Sequence, residues 1–224
     1  MKSKSRYFLR WLIIVILLLV IAVSGFKIIQ ILTTYNEIEA SNEEAREEFI
    51  SSYKEDTGLP EIDFAALKAA NSEIVGWIYI PDTNVNYPVV QSKTSDYYYL
   101  TIDYKHRWSV SGSIYLSTYC ASDFSDVESL IYGHNMHNGE MFGKLKKYTD
   151  PQYLEAHKDL YILLPEGGYI KYNVTEGKYI SIEDDVYSIP KRGGEPETLV
   201  LSTCTDDSSD TERLVVIAEY EGKY

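Results

Sequence analysis

The chain has little positive charge and few residues of the kinds that hold metals. Among its 224 residues, 21 Lys and Arg stand against 34 Asp and Glu, which gives a net charge of −13. Because nucleic acids and anionic lipid surfaces attract basic proteins, this balance argues against both as ligands. Only 4 His and 2 Cys are present, without a C-x-x-C or H-E-x-x-H pattern, so the sequence predicts no metal site and no cofactor. With 13 Gly, 7 Pro and 45% hydrophobic residues, the composition is that of a folded domain.

Long hydrophobic runs are also scarce, since only one occurs. It begins at Trp11 and continues to Leu32, with Lys27 and Gln30 as interruptions. As a helix this run is about 30 Å long, which matches the hydrocarbon core of a bilayer. Basic residues precede it and acidic residues follow it, so the segment 1–10 is predicted to be cytoplasmic and everything after the run to lie outside. A cleaved signal peptide is the alternative, but the length of the run favours a retained single-pass anchor over 11–32.

The segment 33–72 separates this anchor from the rest of the chain. Residues 33–58 are polar and acidic with sparse apolar positions, which indicates a weakly amphipathic helix or stalk that ends at the Thr57-Gly58-Leu59-Pro60 sequence. A short helix is predicted next, with Asp63 as its N-cap. We therefore expect a helical stalk and N-terminal helices over 33–72, followed by one domain over 73–224.

From Ile74 onwards the pattern becomes that of short β-strands. Eight runs are rich in β-branched and aromatic residues: IVGWIYI, VNYPVVQ, SGSIYL, ESLIYG, LYILLP, GYIKYNVTEGKYIS, TLVLSTC and RLVVIAEY. The sixth run is long enough for a hairpin, which gives about nine strand segments and predicts a mainly β barrel or sandwich. Between them, EMFGKLKKYTDPQYLEAHK indicates one or two helices, the second beginning at Pro151.

Three residues at strand ends carry the candidate chemistry. Cys204 ends TLVLSTC, His134 follows ESLIYG, and Arg213 opens the strand that returns from Cys204. A thiol nucleophile needs a base or cationic partner, and a guanidinium can stabilise the oxyanion of a tetrahedral intermediate. Two alternatives from the same residues are a disulfide between Cys120 and Cys204, and a buried, unreactive thiol.

These motifs, in this order, resemble the sortase family. The family signature is a strand ending in L-x-T-C, here Leu201 to Cys204, and the stretches GWIYIPDTNVNYPVVQS, YYYL, SGSIYL, IYGHNM and MFGKL are similar to class B sortases. The resemblance covers roughly 64–220. It implies a mainly β fold, a closed sortase-type barrel of about eight strands with peripheral helices, preceded by an N-terminal transmembrane helix and a helical stalk.

The resemblance also implies roles for individual residues. Cys204 would be the nucleophile, His134 the general acid and base, and Arg213 the oxyanion stabiliser. By their positions beside these residues, Ser202 and Tyr132 would line the substrate groove. Asn86 matches a position that contacts substrate in class B members, so it completes the predicted substrate-binding set.

The activity implied is that of a membrane-anchored cysteine transpeptidase of a Gram-positive-type envelope. Its donors would be secreted proteins with a C-terminal sorting signal of the LPxTG or NPxTx kind, cleaved after Thr. Its acceptor would be an amino group of a peptidoglycan precursor or of a pilin. Alternatives are a pilin-polymerising enzyme, a cysteine peptidase that only hydrolyses, and a non-catalytic surface adhesion module.

Two departures from the family pattern bear on this interpretation. Val200 stands where the usual T-L-x-T-C signature has Thr, a β-branched exchange that a strand should tolerate. The loop 182–197 is short where class B members usually carry a long helix before the cysteine strand. Since that loop shapes substrate recognition in the family, the sequence leaves the exact sorting motif open.

Overall fold

The computed structural model describes residues 2–188, 194–205 and 211–224, with side chains from Tyr7 onwards. Part of the short loop 182–197, namely 189–193, and most of the connection between Cys204 and Arg213, namely 206–210, lie outside the described residues. The chain forms two compact units, Met1–Ser41 and Asn42–Tyr224.

The N-terminal part is one long helix, α1, over Lys2–Phe49. Its stretch Tyr7–Phe49 is long and apolar enough to cross a membrane. The apolar side chains of the predicted span 11–32 are exposed, as Leu19 is to 60% of its surface. Such a surface is unfavourable in water and favourable in hydrocarbon.

Helix α1 ends nine residues earlier than the stalk predicted over 33–58. Its last turn is held by packing, because Phe49 is fully buried with its ring edge-on to Tyr104 at 6.0 Å. Strand β1, Ile50–Tyr53, follows at once and pairs antiparallel with β2, Pro60–Ile62. The sequence at Gly58, taken as the end of a helix, is instead part of the turn that joins β1 and β2, where Gly58 has a φ of +68°.

The short helices confirm the capping signals. Helix α2 spans Phe64–Ala70, and the Asp63 carboxylate accepts a hydrogen bond from the Ala66 amide at 2.9 Å. The region predicted as one or two helices forms a 3₁₀ turn over Leu145–Thr149 and then α3 over Pro151–Ala156. Pro151 opens the second helix as predicted, where its missing N–H costs nothing.

Eight strands close into a barrel, which confirms the predicted fold class. They are β3 (Ile74–Tyr79), β4 (Asn86–Val90), β5 (Ile114–Leu116), β6 (Glu128–Tyr132), β7 (Asp159–Leu163), β8 (Tyr169–Ser181), β9 (Thr198–Cys204) and β10 (Glu212–Lys223). Their order around the barrel is β10-β8-β7-β3-β4-β5-β6-β9. The pairs β4–β5 and β6–β9 are parallel, and the other pairs are antiparallel.

The predicted hairpin within GYIKYNVTEGKYIS is wrong, because this segment is the single strand β8. It pairs with β10, which is nearly as long, from Ser181 opposite Glu212 to Ile170 opposite Lys223, so a continuous partner strand runs along it without a turn. Gly177, which suggested a turn, lies within the strand. A side chain there would come within 2.6 Å of the Tyr148 carbonyl, so glycine serves close packing at this position.

The barrel topology brings the ends of three strands to one edge. Because β6 and β9 are parallel, with Tyr132 opposite Ser202, their C-terminal ends point the same way. Strand β10 runs antiparallel to β9, so it begins at that same edge. Strand β9 lies between β6 and β10. The large apolar side chains of these two strands that share its core include Ile131, Leu214 and Val216.

Candidate active site

The nucleophile candidate lies at the edge where β6 and β9 end. Cys204 is the last residue of β9, and it is partly exposed whereas the five residues before it are buried. The chain leaving β6 is tied to β9 by two bonds: the Gly133 amide donates to the Ser202 carbonyl at 3.2 Å, and the Asn135 side-chain amide donates to the Cys204 carbonyl at 3.0 Å. His134 lies between these two contacts, so its backbone is fixed beside the cysteine.

Gly133 makes this close approach possible. A Cβ atom at this position would lie 2.5 Å from the Ile114 side chain and 2.7 Å from the Phe142 ring. The Phe142 amide in turn donates to the His134 carbonyl at 3.0 Å. The chain at Gly133 therefore packs directly against the Ile114 and Phe142 side chains as it leaves β6.

Arg213 is the direct cross-strand partner of Cys204. The antiparallel register of β9 and β10 places the two residues opposite each other, as the sequence predicted. Side chains of directly opposed residues project from the same face of a sheet, with their Cβ atoms about 5 Å apart. Nη1 of Arg213 donates a hydrogen bond to the Glu212 carbonyl at 2.7 Å. This bond holds the guanidinium close to the backbone of β10.

The imidazole of His134 is oriented by a backbone carbonyl. Its Nε2 lies 2.7 Å from the Leu100 oxygen, at the end of the 3₁₀ turn Tyr98–Leu100. Because a carbonyl can only accept, Nε2 donates, and the neutral ring keeps Nδ1 as its acceptor nitrogen. The turn itself is anchored by a bond from the Ser113 amide to the Tyr99 carbonyl at 3.0 Å.

These residues share one cleft of about 670 Å³. Five of the six predicted site residues line it: Cys204, His134, Arg213, Ser202 and Tyr132. The volume is within the range of small-ligand and peptide sites. The structure thus brings together residues that are widely separated in the chain.

Asn86 is the exception, and its predicted contact with substrate is not supported by its position. It lies on β4, which β5 and β6 separate from β9, and it does not line the cleft. Its side-chain oxygen accepts from the Trp77 indole at 2.6 Å, and its amide nitrogen lies 3.5 Å from the Tyr53 hydroxyl. Asn86 is buried, and its side-chain oxygen provides a hydrogen-bond acceptor for the indole N–H of the buried Trp77.

Two tyrosines, Tyr115 and Tyr187, are among the lining residues that were not identified from the sequence. Tyr115, opposite Tyr132 on β5, stacks on the Tyr132 ring at 5.3 Å, and burial raises the pKa of both phenols. Tyr187 bonds the Ser202 hydroxyl at 2.7 Å, and burial raises its pKa although the nearby Arg213 cation opposes the rise. The alternation in SGSIYL could have placed Tyr115 beside Tyr132, but no local signal places Tyr187.

The two cysteines have different environments. Both are free thiols, so the alternative of a Cys120–Cys204 disulfide is wrong. Cys120 is buried, receives a bond from the Leu130 amide at 3.4 Å, and burial raises its pKa to about 11. It stays a protonated thiol at neutral pH, which leaves Cys204 as the cysteine that a substrate can reach. Over the described ranges, no group of three or more His, Cys, Asp or Glu forms a metal-binding cluster.

The comparisons with known proteins agree with this architecture. The sortase-domain family model matches residues 78–221. Sortase B of Listeria monocytogenes is 34% identical over 177 residues, covering 67% of this chain and 70% of the relative. Sortase B of Staphylococcus aureus is 27% identical, covering 92% of this chain and 93% of the relative.

Solved structures give the same result. A Bacillus anthracis sortase B in complex with AAEK1 has a TM-score of 0.66 and 27% identity, covering 84% of this chain and 98% of that one. A Streptococcus pyogenes class B sortase involved in pilus biogenesis has a TM-score of 0.61 and 25% identity, covering 71% and 98%. The closed barrel, the cleft and these relatives together show that the chain belongs to the sortase family, in class B, and is a cysteine transpeptidase.

Proposed function

We propose that this sortase cleaves a C-terminal sorting signal of the LPxTG or NPxTx kind after Thr. It then joins the released protein to an amino group of the cell wall peptidoglycan. The observation that carries the proposal is the register of β9 and β10, which opposes Cys204 to Arg213 in a cleft that His134 also lines. A nucleophile, an oxyanion donor and a proton carrier at one site are what acyl transfer requires.

In the first half-reaction, Nδ1 of His134 takes the proton of the Cys204 thiol, and the resulting thiolate attacks the carbonyl carbon of the Thr. The Arg213 guanidinium donates hydrogen bonds to the oxyanion that forms. As the tetrahedral intermediate collapses, the C–N bond breaks and His134 gives a proton to the departing amine. The product is a thioester between the Thr acyl group and Cys204.

In the second half-reaction, the acceptor amine attacks the thioester. His134 takes the proton that the amine loses, and Arg213 again stabilises the oxyanion. The C–S bond then breaks and the thiolate is restored. One amide is exchanged for another, so no external energy source is needed.

The bond from His134 to the Leu100 carbonyl supports Nδ1 as the proton-carrying atom. Since Nε2 is engaged with that carbonyl at 2.7 Å, Nδ1 is the nitrogen that exchanges protons with substrate. The carbonyl also stabilises the imidazolium, because an N–H donor on a cation makes a stronger hydrogen bond.

The substrate groove is formed on the floor of the cleft. Tyr132 and Ser202, neighbours across the parallel pair, are its polar surface next to the nucleophile. Tyr187 comes from the short loop before β9 and is bonded to Ser202. This contact supports a contribution of Tyr187 to the choice of sorting motif.

The N-terminal helix is proposed to be a single-pass membrane anchor. In this arrangement 1–10 is cytoplasmic, 11–32 spans the membrane, the rest of α1 forms a stalk that is followed by β1, β2 and α2, and 73–224 is the catalytic domain outside a Gram-positive-type cell. The exposed apolar surface of α1 supports this arrangement. Secreted donors and lipid-linked acceptors both arrive at this membrane, so a tethered enzyme meets them at a raised effective concentration.

The test uses the full chain in detergent micelles with fluorogenic LPxTG and NPxTx peptides and triglycine as the acceptor. Cleavage with a ligated triglycine product is expected in the wild type, and Cys204→Ala is expected to lose both. Cys120→Ala is the matched control, because it removes the other thiol outside the cleft. Equal turnover by Cys204→Ala would contradict the proposal, and cleavage with no ligated product would favour a hydrolytic peptidase.

Pilin polymerisation is a second candidate, favoured by one observation. One of the similar structures is a class B sortase involved in pilus biogenesis. The two functions share the donor step and differ in the acceptor, which for a pilin is a lysine side chain. Competition between triglycine and a lysine-containing pilin peptide, read by mass spectrometry of the products, separates them.

A further inference from the structure

Asp96 is a carboxylate in the wall of the reaction cleft. Among the described residues that line the cleft, it is the one acidic side chain. Its two oxygens accept bonds from the Ser117 hydroxyl at 2.9 Å and from the Thr118 amide. Within the described part of the chain, no Lys or Arg forms an ion pair with it. The negative charge is therefore fixed in place and is not neutralised by a protein cation.

Four aromatic rings line the same cleft as this carboxylate. Tyr97 and Tyr119 are 80% and 57% exposed, and Tyr115 and Tyr132 form a stacked pair. The Asp96 charge adds to burial in raising the pKa of the Tyr115 and Tyr132 phenols, which places it close to both rings. A carboxylate among exposed aromatic faces attracts a cation by two mechanisms, direct charge and the quadrupole of the rings.

The geometry favours a compact cation over a planar one. A guanidinium binds a carboxylate best through two parallel bonds to both oxygens. Both Asp96 oxygens already accept a bond from the protein, so the lone pairs that remain suit a single-point contact. A primary ammonium group makes such a contact.

We propose that Asp96, with Tyr97, Tyr115, Tyr119 and Tyr132, forms a binding site for the primary ammonium group of a reaction partner. The identity of the partner rests on the proposed function, which supplies two sources of that group. One is a lysine side chain in the donor peptide, and the other is the amine of the acceptor. In either case the site selects a charged partner in addition to the contacts made at the scissile bond.

The alternative role for Asp96 is to cap the turn that begins at Ser117. Asp123 provides the matched control, because it also accepts bonds from a serine hydroxyl and a backbone amide, those of Ser125, at 2.6 and 3.2 Å. Asp123 does not line the cleft. Asp96→Asn and Asp123→Asn therefore each remove the charge of a carboxylate that accepts one hydroxyl and one amide bond, inside and outside the proposed site.

The experiment measures peptide binding in a Cys204→Ala background, so that no turnover intervenes. The donor arm compares LPXTG and NPXTG peptides with Lys or norleucine at X, and the acceptor arm compares triglycine with N-acetyl-triglycine. A third arm compares n-butylammonium with n-butanol by NMR shifts of the tyrosine rings. All arms use the full chain in detergent micelles, with Asp96→Asn and Asp123→Asn added in turn.

In the arm that supplies the ammonium group, Asp96→Asn is expected to reduce the preference for the charged ligand about 10-fold. Asp123→Asn is expected to retain that preference, and Asp96→Lys to transfer it to a donor peptide with Glu at X. A response in the donor arm assigns the site to a lysine side chain, and one in the acceptor arm to the acceptor amine. The absence of a charge preference in every arm, or its survival in Asp96→Asn, would overturn the proposal.

The same measurements separate this proposal from the proposed function. Turnover of the norleucine peptides by the wild type, without any charge preference, would leave the transpeptidase assignment intact and remove the ammonium site. A preference for n-butylammonium that depends on Asp96, without turnover of any peptide, would retain the site and remove the assigned sorting signals.

Discussion

Replacing Gly112 with alanine is expected to damage catalysis through the histidine, although Gly112 is not a residue of the cleft. Gly112 has a φ of +54°, and a Cβ atom there would lie 2.3 Å from the Tyr99 carbonyl oxygen and 2.5 Å from that of Leu100. Ordinary contact begins near 3.4 Å, so the turn must shift by about 1 Å. The oxygen that moves is the one bonded to His134 at 2.7 Å.

The cost divides into a stability part and a catalytic part. The positive φ costs alanine about 1–2 kcal/mol, and the steric overlap adds about 1–3 kcal/mol. For a chain of this size, each kcal/mol lowers the Tm by about 2–4 °C, so we expect a fall of about 5–15 °C. A reacting group displaced by about 1 Å loses about 10²-fold in rate, which we expect in kcat/KM at a temperature where the variant is folded.

Gly58→Ala is the matched control for this prediction. Gly58 has a similar φ of +68°, but nothing lies within 4 Å of the position of a Cβ atom. Its variant should lose about 1–2 kcal/mol and keep its kcat/KM. The assay is turnover of the fluorogenic peptide with triglycine, beside a thermal scan of each protein. A folded Gly112→Ala variant with wild-type kcat/KM would refute the positioning role of the Leu100 carbonyl.

Three further predictions concern other contacts of the site. Arg213→Ala should lower kcat/KM by about 10²–10³-fold. Arg213→Lys should recover part of that loss, because an ammonium group restores the positive charge but not the planar pair of donors. Steady-state kinetics of both variants measure the two values of kcat/KM. Tyr187→Phe removes the bond to Ser202 and should cost about 1 kcal/mol, seen as a roughly fivefold higher KM at little changed kcat; an unchanged KM would separate this loop from binding. Because burial raises the pKa of Cys120 from 9.0 to about 11, that thiol contributes stability fully below pH 9 and loses it as the pH rises towards 11. The fall in Tm over this window should therefore be smaller in Cys120→Ala than in the wild type.

The elements that could be predicted from sequence are those with a local physical cause. Asp63 and Pro151 mark helix starts by capping and by a fixed φ, and both were predicted correctly. The strand ends that carry Cys204, His134 and Arg213 follow from short apolar runs bounded by polar residues. Their convergence at one cleft could be inferred only through the resemblance to sortases, because sequence patterns do not give strand order.

The errors depend on partners that are distant in the chain. Strand β8 looked like a hairpin because Gly177 interrupts it, whereas the length of β10 decides that it stays one strand. The substrate contact of Asn86 stays a prediction; in the fold its side-chain oxygen accepts a hydrogen bond from the Trp77 indole on the neighbouring strand β3. Asp96 was not identified from the sequence, because only the closed barrel brings it into one cleft with the Cys204 thiol.

The pairing of Cys204 with Arg213 has a consequence for how this enzyme can vary. Both residues belong to a hydrogen-bonded ladder, so their separation is set by strand spacing and does not depend on the segment that joins them. Insertions or deletions in the surrounding loops can then change which peptide enters while sulfur and guanidinium keep their distance. In such a scaffold the strands hold the catalytic residues and the loops determine substrate selectivity. Loop grafts between relatives should therefore exchange the preference for the protein substrate without changing the catalytic centre.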